Sequence, residues 1–343
     1  MNLSFLSPYK ITKHPEIIES LKNGEIVYPI QVEIHPTLMC NHNCYWCITN
    51  ETHTGKRLDT IPFEKLYSLI TEFSEVGVKT LTFSGGGEPL LYVGLEKILE
   101  KTLELGVEYG IISNMSLKIG DSLLGQLKGA SWARISLDAH NKDTYKLVHN
   151  ANDGDFEIAL HNIEKLSKHC MVGVNYLIHE ENYKGIFDCA SLVKELGASY
   201  IRFAPIYDKN YGKNYEDIWK TISDEMGLAN ELNSDKFEVL IFKNRFNSLL
   251  INDKYYDKCY IHQLHPILGA DLKMYACCNF PYIRHYVVTD LSTSTFIEAW
   301  NGEDRMNFIN NLDPKQCPSC WYNEQNKITN YMVMDNPIHE NFF

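Results

Sequence analysis

Cys40-Asn41-His42-Asn43-Cys44-Tyr45-Trp46-Cys47 follows the β-like run Ile30-Gln31-Val32-Glu33-Ile34, and its reading decides the fold. Three cysteines so close together can converge as thiolates on one metal centre. The spacing Cys-x3-Cys-x2-Cys offers one ligand fewer than a closed four-cysteine iron–sulfur site, so one coordination position stays open. A zinc knuckle is the competing reading. Structural zinc takes four donors, usually with paired C-x2-C ligands, and here it would need His42 or a distant residue.

A second stretch, Thr82-Phe83-Ser84-Gly85-Gly86-Gly87-Glu88-Pro89-Leu90, follows the strand-like run Val78-Lys79-Thr80-Leu81. Glycines at the end of a strand let a ligand approach the backbone, and a carboxylate beside them can accept hydrogen bonds from an ammonium group. A phosphate loop is the rival, but the stretch lacks the Gly-Lys-Ser/Thr ending and its Glu would repel phosphate.

Together the two stretches resemble the radical S-adenosylmethionine (SAM) enzymes. The resemblance implies that Cys40, Cys44 and Cys47 hold a [4Fe-4S] cluster whose fourth iron is chelated by SAM, with Trp46 as the aromatic residue of that signature. It implies that Gly86, Gly87 and Glu88 hold the amino group of SAM's methionine. In such enzymes an electron from the cluster cleaves SAM to a 5′-deoxyadenosyl radical, which abstracts a hydrogen atom from substrate; the protein positions the reactive carbon. An electron donor such as flavodoxin or ferredoxin is an implied partner.

Strand candidates recur at 30–35, 78–83, 107–113, 132–137, 171–178 and 199–205, alternating with helix-like stretches at about 62–75, 91–105, 119–127, 155–168 and 183–196. This rhythm predicts an α/β fold with a parallel sheet and crossover helices. Six such units make a partial (β/α)6 TIM-like barrel, the core the resemblance implies, with chemistry at the C-terminal strand ends. By the same resemblance Asn114, ending the third strand, and Ser136, ending the fourth, contact SAM. Where some relatives carry an Arg beyond that Ser, this chain reads Tyr145-Lys146-Leu147-Val148-His149-Asn150, so the contact is absent or falls to Lys146 or His149. Asn175, Tyr176 and His179 are candidates to face the same mouth from the fifth strand.

The expected organisation is a leader segment 1–29, with a short helix at 15–22, a barrel core 30–206, a linker 207–235, a small C-terminal domain 236–322 and a tail 323–343. In that C-terminal part Cys259-x17-Cys277 and Cys317-x2-Cys320 supply four thiolates, enough for a closed cluster. Gly269-Ala270-Asp271 predicts a turn folding Cys277 back towards Cys259, and Pro318 would stiffen the last pair. This half resembles the twitch or SPASM-like extensions that carry an auxiliary [4Fe-4S] cluster; a zinc ribbon is the alternative. Cys277 and Cys278 compete for one ligand place, and spacing favours Cys277. Cys278 is then the candidate hydrogen-atom donor, while Cys170 and Cys189 read as packing residues.

The residue balance is 32 − 44 = −12, which argues against nucleic-acid binding and favours neutral or cationic substrates. No apolar run is long enough to span a bilayer, and no signal peptide is read, so ten cysteines point to metal or redox chemistry in a reducing cytoplasm. Residues 1–29 are short for a peptide-recognition domain. The expected substrate is therefore a small hydroxylated molecule (a sugar, aminocyclitol or nucleotide sugar) undergoing oxidation or epimerisation. A peptide- or protein-modifying enzyme is the enzymatic alternative, and a zinc-binding scaffold the non-enzymatic one.

Overall fold

Along Gln31–Ile34 half-buried and fully buried side chains alternate, the mark of a strand with two unlike faces. The computed structural model describes residues 7–49, 59–206, 215–242, 246, 254–279, 281–317 and 320–335. In it this strand, β1, is followed by β2 (Thr80–Phe83), β3 (Glu108–Ser113), β4 (Trp132–Ser136), β5 (Met171–Ile178) and β6 (Tyr200–Pro205). Neighbours pair in parallel and in sequence order, as the alternating pattern predicts.

The intervening helices present apolar stripes to this sheet. Phe63–Glu75, for example, buries Leu66, Leu69, Ile70 and Phe73 on one face at helical spacing. The result is an unclosed, partial TIM-like barrel of parallel strands.

The sheet runs further than six strands. β7 (Glu238–Ile241) pairs in parallel with β6, and the helix Trp219–Asn230, which buries Ile222, Met226 and Ala229, forms the crossover. The expected linker, where described, is thus a packed helix, and β7 extends the barrel sheet instead of opening a separate C-terminal unit. The apolar run at 237–242 was legible, but its sheet partner depends on the crossover packing.

On the opposite edge, β8 (Ile267–Leu268) runs parallel to β1, and β9 (Lys273–Tyr275) and β10 (Val287–Asp290) follow antiparallel. The expected hairpin at Gly269–Asp271 joins β8 to β9. All ten strands form one sheet, ordered β10-β9-β8-β1-β2-β3-β4-β5-β6-β7.

The described part of the leader is integral to the fold. Its helix Pro15–Lys22 forms where expected, and Ile11, Ile18, Leu21 and Val27 make a small core with Tyr260 and Leu264. Ile328, Met332 and Val333 pack against that core from the helix Asn323–Val333, which occupies most of the described tail. Pro318 lies outside the described residues. No helix among the described residues is long and apolar enough to cross a membrane.

Two glycines let large rings lie across strands. A Cβ on Gly173 would stand 1.9 Å from the Tyr200 ring, and one on Gly110 would stand 2.2 Å from Trp132. Gly173→Ala is therefore expected to lower unfolding free energy by about 1–3 kcal/mol, as overpacking does, measured as a lower midpoint in chemical denaturation.

Candidate active site

Because β1 and β2 are adjacent and parallel, the chain leaves both at the same edge of the sheet, and the two motifs emerge side by side. Gly87 N–H donates to the Thr37 carbonyl at 3.1 Å, and Glu88 N–H donates to the Met39 carbonyl at 2.7 Å. A Cβ on Gly87 would stand 2.2 Å from the Met39 oxygen, so only glycine permits this approach. The glycine loop is stitched to the residues leading into Cys40.

Glu88 is buried, and its carboxylate accepts from Leu90 N (3.0 Å), Ser113 Oγ (2.7 Å) and Asn114 N (2.8 Å). Burial pushes its pKa up, and these three donors oppose the shift. Asn114 spends its side chain on the cysteine loop: Nδ2 donates to Asn41 Oδ1 at 2.9 Å, while Oδ1 accepts from Ser116 N at 3.0 Å. Ser136 is half-buried at the end of β4, opposite Asn175.

The loop between Cys40 and Cys47 is held by a helix absent from the sequence-based reading. Asn141 caps Lys142–His149 by accepting from Thr144 N, and Asn150 ends it in a left-handed conformation, φ 48°. The carbonyls of Val148 and His149, left without helical partners, accept from Tyr45 N at 3.0 Å and Asn43 N at 3.1 Å.

His149 Nε2 faces the Leu137 carbonyl at 3.0 Å, and its Nδ1 lies 3.1 Å from Cys44 Sγ. Burial lowers the His149 pKa to about 3 and pushes the Cys44 thiol well up. Asp138, buried with φ 52°, is raised to about 7 by desolvation, against the Leu177 N–H and the charge of Arg202.

The remaining candidates separate. Lys146 is exposed and paired with Asp153 at 2.7 Å, away from the loop, so it does not take the expected carboxylate-gripping place. Tyr176 is fully buried on the outer face, donating to the Asn182 carbonyl, and does not face the mouth. Asn175 accepts from Arg202 Nε at 2.5 Å on the inner face. His179 is a buried packing residue whose ring lies 5.0 Å from Tyr45 and 5.5 Å from Trp46, centroid to centroid. Cys189 is fully buried and Cys170 packs against the core.

In the C-terminal part, Cys259, Cys277, Cys317 and Cys320 line one cavity with Tyr256, Tyr286, Tyr322 and Asn326. Cys278 instead places Sγ 3.5 Å from the Tyr322 hydroxyl. Sequence reasoning missed three residues here. Lys254 Nζ donates to the Cys317 carbonyl, Asn326 Nδ2 lies 3.4 Å from Cys259 Sγ, and Tyr322 joins Cys278 to His265 Nδ1 at 3.3 Å. Asn326 comes from the helix Asn323–Val333, in the tail, to which the sequence-based reading assigned no element.

A third polar group lies on the inner face of β1. Glu33 Oε1 accepts from Ser84 Oγ at 2.5 Å and His35 Nε2 at 3.3 Å, and His265 Nε2 stands 3.7 Å from Oε2. Its period-2 position in β1 was the only available signal.

With this geometry in view, residues 34–193 match the family model described as Radical SAM superfamily. That segment, just under half of the chain, is a radical SAM domain. The chain is 26% identical over 199 residues to a probable GTP 3′,8-cyclase of Sulfolobus acidocaldarius, covering 57% of this chain and 62% of that protein. It is 24% identical over 231 residues to an S-adenosylmethionine-dependent nucleotide dehydratase of Lacinutrix mariniflava, covering 64% and 47%. The chain thus spans about half to three-fifths of these relatives' lengths. In fold it is similar to SuiB of Streptococcus suis bound to its precursor peptide SuiA, with a TM-score of 0.67 and 13% identity over 93% of this chain and 78% of that one.

Burial alone would raise the Glu33 pKa, but the hydrogen bond and charge of His35, the charge of His265 and the Ser84 hydroxyl bring it down from 4.5 to about 2. A lowered folded pKa stabilises the fold above the unfolded value, and that contribution disappears as pH falls through the folded one. Glu33→Gln is therefore expected to cost on the order of a few kcal/mol at pH 7. Denaturation midpoints followed with pH should show the gap to the parent closing between pH 4.5 and about 2.

Proposed function

We propose that this chain binds SAM at a [4Fe-4S] cluster ligated by Cys40, Cys44 and Cys47 and removes a hydrogen atom from a small hydroxylated substrate, a sugar, aminocyclitol or nucleotide sugar. The product is an oxidised or an epimerised substrate. The observation that carries this reading is the glycine loop stitched to residues 37–39, which sets a buried carboxylate, Glu88, beside an open three-cysteine loop. When bound, the reduced cluster and SAM supply a 5′-deoxyadenosyl radical.

The chain's own residues do the positioning. Gly86, Gly87 and Glu88 receive the methionine end of SAM, Trp46 and His179 cover the cysteine loop, and Ser136 offers a hydroxyl at the end of β4. Asn114 acts by fixing Asn41. His35 and His265 are the groups on the inner face placed to take up a proton released on oxidation, with the Glu33 carboxylate as their charged neighbour.

Cys259, Cys277, Cys317 and Cys320 are proposed to hold a second [4Fe-4S] cluster. Their shared cavity supports this, as does Lys254 beside them, whose positive charge offsets thiolate charge. The nucleotide chemistry in the names of the curated relatives favours a small substrate over a peptide. A flavodoxin or ferredoxin is the proposed electron donor.

The test is anaerobic reconstitution with iron and sulfide quantitation. About eight irons are expected in the parent and about four when Cys40, Cys44 and Cys47 are all changed to Ala, with 5′-deoxyadenosine formed from SAM under dithionite by the parent alone. Zinc in place of iron would overturn the reading. Cys278→Ala then separates the two outcomes once turnover is assayed. Loss of product with SAM cleavage retained marks epimerisation with Cys278 as donor, and unchanged turnover marks oxidation.

A further inference from the structure

Gly86 is walled on three sides by parts of the chain far apart in sequence. Its carbonyl accepts from Thr49 Oγ1 at 2.8 Å, and the same hydroxyl lies 3.2 Å from Cys47 Sγ. The place a Cβ would occupy is 2.5 Å from Leu38 Cδ2, 2.8 Å from the Tyr282 ring and 3.0 Å from the Tyr282 hydroxyl. Glycine is the most mobile residue the backbone can contain, so the order of this loop rests on its walls.

Tyr282 is itself held against a cost. Its φ is 63°, a left-handed conformation that strains a residue with a ring. Three contacts oppose that strain. Its oxygen accepts from Ala270 N at 3.1 Å and lies 3.2 Å from His35 Nδ1, and its ring lies over Gly269, with 3.2 Å from Cε1 to the position of a Cβ there. His35 Nε2 in turn stands 3.3 Å from Glu33 Oε1. Ala270, Tyr282, His35 and Glu33 thus form one continuous polar chain.

We propose that Tyr282 is a positioning residue for SAM, reaching from the C-terminal part of the chain to wall Gly86 so that the glycine loop is ordered for the methionine end of the cofactor. This rests on the radical SAM reading of the site above. It assigns a determinant of SAM affinity to residues beyond the matched segment 34–193. The ring supplies the wall, and the hydroxyl supplies its anchorage to His35 and Ala270.

SAM affinity is measured by equilibrium dialysis on the reconstituted protein, beside the change in the reduced-cluster EPR spectrum when SAM is added. Tyr282→Ala is expected to weaken SAM binding about tenfold with iron content unchanged and a smaller SAM-induced EPR change. Tyr282→Phe, which keeps the ring, should stay within about threefold of the parent. An Ala variant with parental iron and parental affinity would overturn the proposal, as would a Phe variant as weak as Ala.

Binding linkage gives a second measurement that needs no variant. If Tyr282 favours SAM binding, SAM must favour the packed Tyr282 by the same free energy. Hydrogen exchange in the peptide containing Tyr282 should therefore slow when SAM is added to the parent, and unchanged exchange would count against the assignment. A parent that holds iron but binds no SAM would overturn the radical SAM reading itself. Normal SAM binding in the parent and in Tyr282→Ala would overturn only the role of Tyr282.

Discussion

One close approach sets the geometry of the site: the backbone of Gly87 and Glu88 lies directly against that of residues 37–39. At Gly87 any side chain would enter the Met39 carbonyl, and the loop's own N–H groups are bonded to that same segment. The distance between the cysteine loop and Glu88 is therefore a backbone property. It is insensitive to rotamers, and it follows from β1 and β2 being parallel neighbours in register, Ile34 opposite Phe83. Parallel strands share one C-terminal edge, so loops that follow them collect there.

Around this contact, polar groups removed from water are joined so that each satisfies another. Glu88 takes three donors, Asn114 links Asn41 to Ser116, and Ser116 Oγ lies 3.1 Å from His42 Nε2, which is 3.2 Å from Asp155. In a low-dielectric interior such networks are rigid when complete, because leaving any member unbonded is costly. Among the described residues, His42 Nδ1 in the loop that carries the three thiols and the hydroxyl of Tyr145, whose ring packs against His42, are buried without a hydrogen-bond partner.

The local layers of this fold were readable in the sequence. Alternation places all six strands of the expected barrel, and three- and four-residue spacing gives the helices between them, because both patterns depend on near neighbours in the chain. Three kinds of feature were not readable. The partner of Glu238–Ile241 depends on how a crossover packs. The helix Lys142–His149 is only eight residues long, about two turns, too few for its apolar spacing to stand out. The third kind is contact at long range: Glu33 with His265, His179 between Tyr45 and Trp46, and Tyr282 on Gly86 exist only because particular edges of the sheet meet. The short spacings Cys40-x3-Cys44-x2-Cys47 and Cys317-x2-Cys320 were legible because they are local, and the glycine loop because its constraint is steric; that Cys259 and Cys277 line one cavity with Cys317 and Cys320 is a long-range result of the fold.

The C-terminal hairpin also answers a problem that the barrel creates for itself. An unclosed sheet leaves β1 as an edge, with unpaired backbone groups that invite other chains. β8 covers that edge in parallel, pairing Ile267 with Glu33 and Leu268 with Ile34, and the antiparallel β9 turns the chain back. Side chains flanking the covering strands then become neighbours of the inner-face residues of β1: His265, just before β8, reaches Glu33, and Tyr282, between β9 and β10, reaches His35. The same turn carries the chain on to Cys277. Covering an exposed edge, completing the polar face of the barrel and presenting a thiol to a second cavity are thus consequences of a single strand addition. A change that detached β8 from β1 would loosen all three together.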